Sequence, residues 1–481
     1  MTNISFSQAF SPENFKYNTQ QIINMLSEYL QSMHEDFDTK KVLKSTNWES
    51  ILSECLSPTS SFSNDWQSFV QKIIDYSQHL HHPNYIGHQV AVPLPMASAI
   101  DLVSSFLNNS TAIVEMGPIH AAIETKLIEW VAQKIGYGGD SGGFINAGGS
   151  LGNLMALLAA RQVKSGYDVW NDGIQQPLAV LVSDQAHYCV ERATQIMGLG
   201  KNGAISIASN RDFQVTRKAL DLSFQEALKK YRKVIAVVGS CCNTGPGTFE
   251  NLQIIAEFCK EHDLWFHVDG AHGAPVVLSE KYSNLTNGIS QADSVVWDFH
   301  KMMMMPSLCT GVVFRKKENS YMALKQHAPY LYSNEKTDDW QAISQRTMEC
   351  TKPSMGLKAY FCLRHYGENF FASYIDYTFD MGKYFADIIE KNSNFELAVI
   401  PQGNIVCFRF MSNNGCLDTL QKAICKKVVQ LGRFYIVNTT LKDKVYLRTT
   451  IMNPFTTKET LVKLLSHIHE VATNLQKENI Q

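Results

Sequence analysis

Nowhere in its 481 residues does the chain carry a run of about 18 apolar residues, the length a membrane-spanning helix needs. Its opening stretch, MTNISFSQAFSPENFKYN, has neither a basic start nor an apolar centre, so it does not read as a secretory signal. The eleven cysteines are scattered without a C-x-x-C pair, and the adjacent Cys241 and Cys242 are poorly placed to bridge each other. A disulfide framework is not expected, and neither is a metal centre. Charge of one sign is missing too. The 43 Lys and Arg against 45 Asp and Glu leave a formal −2, which gives no polycationic footprint for nucleic acid. There is no internal repeat and no low-complexity tract. These absences leave a soluble, cytoplasmic protein with reduced thiols as the expectation, without a membrane or nucleic-acid partner.

What is present is an ordinary globular composition, 45% hydrophobic and 18% charged. The length suggests two or three domains. Residues 1 to about 80 have a helical pattern, with Ile22, Ile23, Leu26, Tyr29 and Leu30 on one apolar face. From about 82 to 365, short apolar runs alternate with helical periods. The runs are LAVLVS at 178–183, VIAVVGS at 234–240, LWFHVDG at 264–270 and SVVWDFHK at 294–301. NLQIIAEFCKEH, at 251–262, reads as a helix between two of them. Such alternation predicts an α/β fold, a mainly parallel central sheet flanked by crossover helices. After about 370 come a helix, the strands NIVCFRFM (404–411) and VYLRTTI (445–451), and a last helix. Thr456 and Glu459 have capping-box spacing at its start, and Leu461, Leu464, Leu465, Ile468 and Val471 make its buried face. The expected partition is an N-terminal helical segment (1–80), a large domain (81–368) and a small C-terminal α+β domain (369–481).

Four features sit at strand ends of the large domain, where open α/β sheets bind ligands. NAGGSLGNLMALLAAR (146–161) is a glycine turn feeding a helix from about Ser150. Its free N–H groups and helix dipole suit a phosphate, although such a turn alone is more often just a turn. Asp269 ends LWFHVDG, where a carboxylate caps the next segment or holds a cationic ring nitrogen. His187 follows a strand in SDQAHYCVERA, a place where a lone histidine is usually structural. Lys301 ends SVVWDFHK, where a lysine is usually solvated. In chain order the four are a phosphate cradle, an aromatic stacker, a pyridine partner and an amine nucleophile. Those are the parts a pyridoxal phosphate enzyme needs, with Lys301 forming the Schiff base and Asp269 keeping the ring nitrogen protonated. Met303 to Met305 read equally as an adaptable apolar wall beside Lys301 and as plain core.

These residues resemble those of the group II pyridoxal phosphate-dependent amino acid decarboxylases, above all glutamate and cysteine sulfinate decarboxylases. HVDGAHGAPVVLSEKY…ADSVVWDFHKMMMMPSLCT is similar to the family pattern HVDAAWGG…NSVTWNPHKMMGVLLQCS. SDQAHYCVERA resembles S-E-x-S-H-Y-S-x-x-K-A, and NAGGSLGN resembles PGGAISN. VEMGP at 114–118 resembles YEIAP, and YLRTTIMNP at 446–454 resembles FFRMVISNP. The likeness runs from about residue 80 to 475. It implies a type I pyridoxal phosphate-dependent transferase fold and a homodimer with interface active sites, across which N-terminal helices are exchanged. It implies Lys301 as the Schiff-base lysine, Asp269 as the pyridine partner, and His187 stacked on the ring and helping protonation. Gly149, Ser150 and His300 would hold the phosphate. Thr244, in CCNTGPGTFE, matches a threonine that touches the cofactor, and Arg448 matches the arginine that binds the substrate's carboxylate. HAPYLYSNEKTDDW (327–340) matches a loop that closes over the neighbouring subunit's active site. That loop supplies a tyrosine, Tyr330 or Tyr332, as the proton donor to Cα.

The departures fall mostly on the substrate side. His272 stands for the aromatic residue of DAAW and Gly270 for an alanine, while Asp298 replaces the asparagine of NPHK near the phosphate. His88, in YIGH, stands where glutamate decarboxylases place a glutamine near the substrate side chain, and Ala112 replaces a phenylalanine. The expectation is decarboxylation of a small L-amino acid, acidic on the strength of Arg448: glutamate, aspartate or cysteine sulfinate. A diamino or aromatic substrate is the alternative, toward which DFHK leans. Transamination or carbon–sulfur cleavage on the same fold is a third reading, and the HK dipeptide with its M-M continuation speaks against it. A non-enzymatic binder is disfavoured by the intact Lys301 and Asp269.

Overall fold

The structure is a computed structural model that describes residues 5–35, 37–44, 48–55, 65–324, 340–413 and 415–478. The chain packs as two compact units. One comprises Gln89–Ala386 and Ala398–Val406; the other comprises Met1–His88, Asp387–Leu397 and Cys407–Gln481.

The first unit is built on seven strands: β1 (Gly142–Asn146), β2 (Leu178–Ser183), β3 (Ala204–Ile207), β4 (Lys233–Ser240), β5 (Trp265–Asp269), β6 (Ser294–Asp298) and β7 (Thr310–Phe314). Their order in the sheet is β1-β7-β6-β5-β4-β2-β3. The pairs β3–β2, β2–β4, β4–β5 and β5–β6 are parallel, and β7 runs antiparallel to both β6 and β1. β2, β5, β6 and β7 are buried along their whole length. That explains why they read as continuous apolar runs rather than as alternating ones: helices cover both faces of the sheet. The helix Leu252–Glu261 shows the pattern. Asn251 caps it by accepting from Ile254 N at 3.2 Å, and it buries Leu252, Ile255, Ala256, Phe258 and Cys259. Each large apolar side chain so buried stabilises the fold by about 1.5–3 kcal/mol.

The strand directions decide where chemistry gathers. Asp269 and Asp298 end parallel strands, so both reach the carboxyl edge of the sheet. β7 runs the other way, so its first residue, Thr310, arrives at the same edge, opposite Asp298 on one side and Asn146 on the other. Behind β1 lies a buried ion pair. Lys352 Nζ stands 2.6 Å from Glu124 Oε1 and 2.7 Å from the Ile145 carbonyl, while Ile145 N donates to the same Glu124 oxygen at 2.9 Å. With both side chains dry, removing one partner costs about 3–5 kcal/mol.

The sheet β10-β11-β9-β8, from β8 (Phe395–Leu397), β9 (Ile405–Phe410), β10 (Val437–Leu441) and β11 (Lys444–Thr450), belongs to the second unit except for Ile405 and Val406. N-terminal and C-terminal segments are tied together here. Val42 N donates to Gly432 O, and Asn453 Nδ2 to Leu80 O. The last helix, Lys458–Glu478, buries Leu461, Leu464, Leu465, Ile468 and Val471 as its periodicity predicts. Its cap is shifted by one residue from the expected box. Thr457 and Thr460 exchange side-chain-to-backbone bonds at 3.2 Å, while the Thr456 hydroxyl donates to Pro83 O at 2.6 Å. The helix Pro12–Glu35 forms where the sequence places it, but Ile22, Ile23 and Leu26 on its apolar face are exposed by 38%, 49% and 49%. Among the described residues, no helix is long and apolar enough to cross a membrane.

Candidate active site

At the carboxyl edge of the seven-stranded sheet lies a cleft of about 260 Å³. Gly149, Ser150, His187, Thr244, Asp269, His300 and Lys301, seven residues chosen from sequence, all line it. Arg448 and His88 belong to the other compact unit. Tyr330 and Tyr332 lie outside the described residues.

The cradle begins where β1 ends. Gly148 takes φ 106°, a conformation that only glycine adopts without strain. The helix Gly149–Lys164 then starts with no side-chain cap, and the first bond of its opening turn runs from Gly152 N to Gly148 O. The N–H groups before Gly152 therefore have no intrahelical acceptor and form an anion site. A Cβ on Gly149 would stand 3.0 and 3.1 Å from the Asp298 carboxylate oxygens, so glycine is what lets the helix start approach β6. Glu349 steadies the turn by accepting from Ala147 N at 3.1 Å.

A tight turn after β6 folds Lys301 back over the strand end. Lys301 N bonds to Asp298 O, Met304 N to Lys301 O, and Met305 N to Phe299 O. Lys301 Nζ thereby comes within 3.1 Å of Asp298 Oδ2. Burial disfavours the ammonium, but Asp298 and Asp269 outweigh it and hold the Lys301 pKa above the ordinary lysine value. Asp298 is itself fixed by the Thr310 hydroxyl, which donates to Oδ1 at 2.6 Å. His300 Nδ1 lies 3.0 Å from Cys309 O, which leaves Nε2 facing Asp298 Oδ2 at 3.5 Å. Asp269 is buried, and Ala271 N donates to its Oδ1 at 3.3 Å. His187 accepts from Cys189 N at Nδ1; burial lowers its pKa despite Asp269, so the neutral ring is favoured.

Beneath the cleft runs a chain of hydrogen bonds with one direction. Trp265 Nε1 donates to Ser294 Oγ at 2.9 Å. An indole N–H can only give, so the serine hydroxyl is free to donate onward to His267 Nδ1 at 2.8 Å. His267 Nε2 must then carry the proton that Asn153 Oδ1 accepts at 2.8 Å, and Asn153 Nδ2 donates to Gly149 O at 2.9 Å. Burial pushes His267 down to about 4, which keeps it neutral and in that single tautomer. The chain ties β5 and β6 to the first turn of the cradle helix.

This donor set fits pyridoxal phosphate: a helix start with free N–H groups, a carboxylate at a strand end, and an amine within the same cleft. Sequence reading missed Asn153, His267, Ser294 and Thr310. Only Asn153 has a local signal, since it stands one helical turn after Gly149. Met302 to Met305 are at most 2% exposed and do not line the cleft; they pack as core beneath the turn. In the second unit, Arg448 is buried and its Nη1 donates to Gly87 O at 3.5 Å. His88 Nε2 lies 3.2 Å from the Tyr435 hydroxyl, and burial followed by the Arg448 charge lowers its pKa.

Residues 57–411 match the model of the pyridoxal-dependent decarboxylase conserved domain. An aromatic-L-amino-acid decarboxylase of Bacillus atrophaeus is 26% identical, with 84% of each chain covered. An aspartate 1-decarboxylase of Aliivibrio fischeri is 25% identical over 86% of this chain and 83% of the relative. The crystal structure of mouse CSAD superposes with a TM-score of 0.89 at 22% identity, covering 96% of this chain and 99% of that one, so the fold is shared. Fold, cleft and family match agree on the type I architecture and on pyridoxal phosphate as the cofactor, and the chain belongs to the pyridoxal-dependent amino acid decarboxylases.

Proposed function

We propose that the chain decarboxylates a small acidic L-amino acid, glutamate, aspartate or cysteine sulfinate, with its cofactor attached at Lys301. The observation that carries the attachment is the cleft itself, where Lys301, Asp269 and the Gly149–Ser150 helix start share one sheet edge. Bound pyridoxal phosphate supplies an electron sink for the pair left at Cα when carbon dioxide departs. Asp269 holds the proton on the ring nitrogen. The N–H groups at Gly149 and Ser150, with His300, hold the phosphate. His187, held toward its neutral form, and Thr244 both line the cleft; His187 would stack on the cofactor ring and Thr244 would touch the cofactor. Tyr330 or Tyr332 delivers the proton to Cα, a role that rests on the resemblance alone.

Arg448 supports the acidic substrate. It is a buried guanidinium, and a desolvated fork of that kind suits a carboxylate. His88 reads the substrate side chain next to it. The rival reading, an aromatic or diamino substrate, draws on the aromatic relative and on Asp298. Released carbon dioxide measured over a panel of amino acids decides between them. Turnover of an acidic member at least tenfold above the rest is expected, and preference for an aromatic or diamino member overturns the substrate reading. The exposed apolar face of Pro12–Glu35 supports a homodimer, checked by light scattering on the purified chain. A cytoplasmic location is proposed with it.

A further inference from the structure

The Asp298 carboxylate is almost wholly buried, at 1% exposure, yet it faces the one amine on which the proposed chemistry depends. We propose that Asp298 is a further catalytic residue: its Oδ2 is the resting partner of the Lys301 amine and controls when that amine is free to capture an aldehyde. This rests on the assignment of Lys301 above. Three observations carry it. The Lys301 nitrogen stands 3.1 Å from Oδ2, within hydrogen-bonding distance. Thr310 holds the other oxygen at 2.6 Å, so the carboxylate cannot swing away. The turn from Asp298 to Met305 fixes the backbone that aims the lysine at it.

Capture needs the neutral amine. Its lone pair forms the carbon–nitrogen bond, its two hydrogens leave with the aldehyde oxygen as water, and the third proton of the ammonium must already have gone to solvent. A buried carboxylate at 3.1 Å opposes that loss, so it moves loading of the cofactor toward higher pH. Other groups face Lys301 as well. Asp269 from β5 acts in the same sense at longer range, and Cys242, from the segment after β4, adds a smaller push in that direction. His187 is held toward its neutral form, Cys189 is pushed up to about 12 and stays a thiol, and His300 turns its Nε2 to the same Asp298 oxygen. Among the described residues, Asp298 alone combines contact with a charge.

The test mixes full-length cofactor-free protein with pyridoxal 5'-phosphate and follows the rate of appearance of the yellow complex. The range is that in which a lysine amine titrates, from about pH 6 to about pH 11. Borohydride reduction and peptide mapping locate the adduct. Asp298→Asn should move the midpoint down by at least about one pH unit, which is about tenfold faster loading near neutrality. Asp298→Glu should keep the midpoint within about half a unit of wild type. An unchanged midpoint in Asp298→Asn, with the adduct on Lys301, overturns this inference and leaves the proposed function standing. An adduct on another lysine overturns both. A second measurement needs no variant: NMR titration of the Lys301 Cε in the cofactor-free wild type. A midpoint at or below that of an ordinary lysine overturns the role of Asp298 even if Asp298→Asn fails to fold.

Discussion

The carboxyl edge of the large sheet and the Arg448 cluster of the second unit are proposed to serve different ends of one reaction. At the edge, Asp298 is held by Thr310, the cradle by Glu349 and Asn153, and His267 on both ring nitrogens, by bonds of 2.6–3.1 Å. Around Arg448, Nη1 reaches the Gly87 carbonyl at 3.5 Å, and His88 Nε2 lies 3.2 Å from the Tyr435 hydroxyl. The difference fits the division of labour proposed for them. Electron withdrawal at Cα is the same task for every amino acid, so the parts that serve it gain from rigid placement. The part proposed to read the side chain is a guanidinium and an imidazole in the other unit, so it can change without disturbing the edge, which fits a family whose relatives are named for aromatic and acidic amino acids.

Breaking the rigid region should cost most. Lys301→Ala should retain non-covalent cofactor yet lose turnover by on the order of 10⁴-fold or more, read by carbon dioxide release. Asp269→Asn should lower kcat by on the order of 10²–10³-fold, because an amide cannot stabilise a protonated pyridine nitrogen. Asp269→Glu should fall far less. Equal activity of Asp269→Asn and wild type would remove that residue from the mechanism. In the second unit, Arg448→Lys keeps the charge but loses the fork. It should raise KM for the acidic substrate by about 10–100-fold, with the cofactor spectrum unchanged. A normal KM would mean that the side chain is read elsewhere.

A pH measurement sharpens the comparison without touching the reacting groups. His267 titrates near 6.5 when unfolded and at about 4 when folded, because burial disfavours its charged form. Its neutral burial contributes fully above pH 6.5, and that contribution is lost as pH falls from 6.5 through about 4. The loss is at most about 3 kcal/mol. His267→Gln keeps a donor toward Asn153 and should flatten that part of the stability profile. A variant profile parallel to wild type would show that the histidine is not the group responsible. The smallest expected effect is a few-fold fall in the amine-to-aldehyde product ratio for Tyr330→Phe or Tyr332→Phe. If neither variant moves it, His187 becomes the leading donor.

Much of the rigid region was legible because its parts lie at the ends of apolar runs. A strand end followed by a polar residue is a local signal, and Asp269, Lys301 and His187 all carry it. The two elements that complete the edge carry none. Thr310 meets Asp298 only because β7 reverses direction, and a reversal is decided by the sheet rather than by either segment. Asn153 and His267 are 114 positions apart, and a buried asparagine in a helix looks like any other polar residue until its partner is in place. Lys352 and Glu124, at 228 positions, were invisible for the same reason. Met303 to Met305 were readable only as wall or core with equal weight, and the turn that aims Lys301 decides for core by burying them behind it. The expected Thr456 cap falls one residue later, at Thr457, while the Thr456 hydroxyl turns its proton to the distant Pro83 carbonyl.

The one-way hydrogen-bond chain under the cleft also bears on how this sequence can vary. Trp265 can only give and the Gly149 carbonyl can only take, so the polarity is fixed at both ends. Ser294→Ala removes a single oxygen but orphans two buried groups at once, the indole N–H and His267 Nδ1. An apolar replacement at His267 likewise strands Ser294 on one side and Asn153 on the other. The four positions thus behave as one inherited character. Neutral drift at any of them is blocked unless a neighbour changes in the same step, and sister sequences should keep the set whole or exchange it whole.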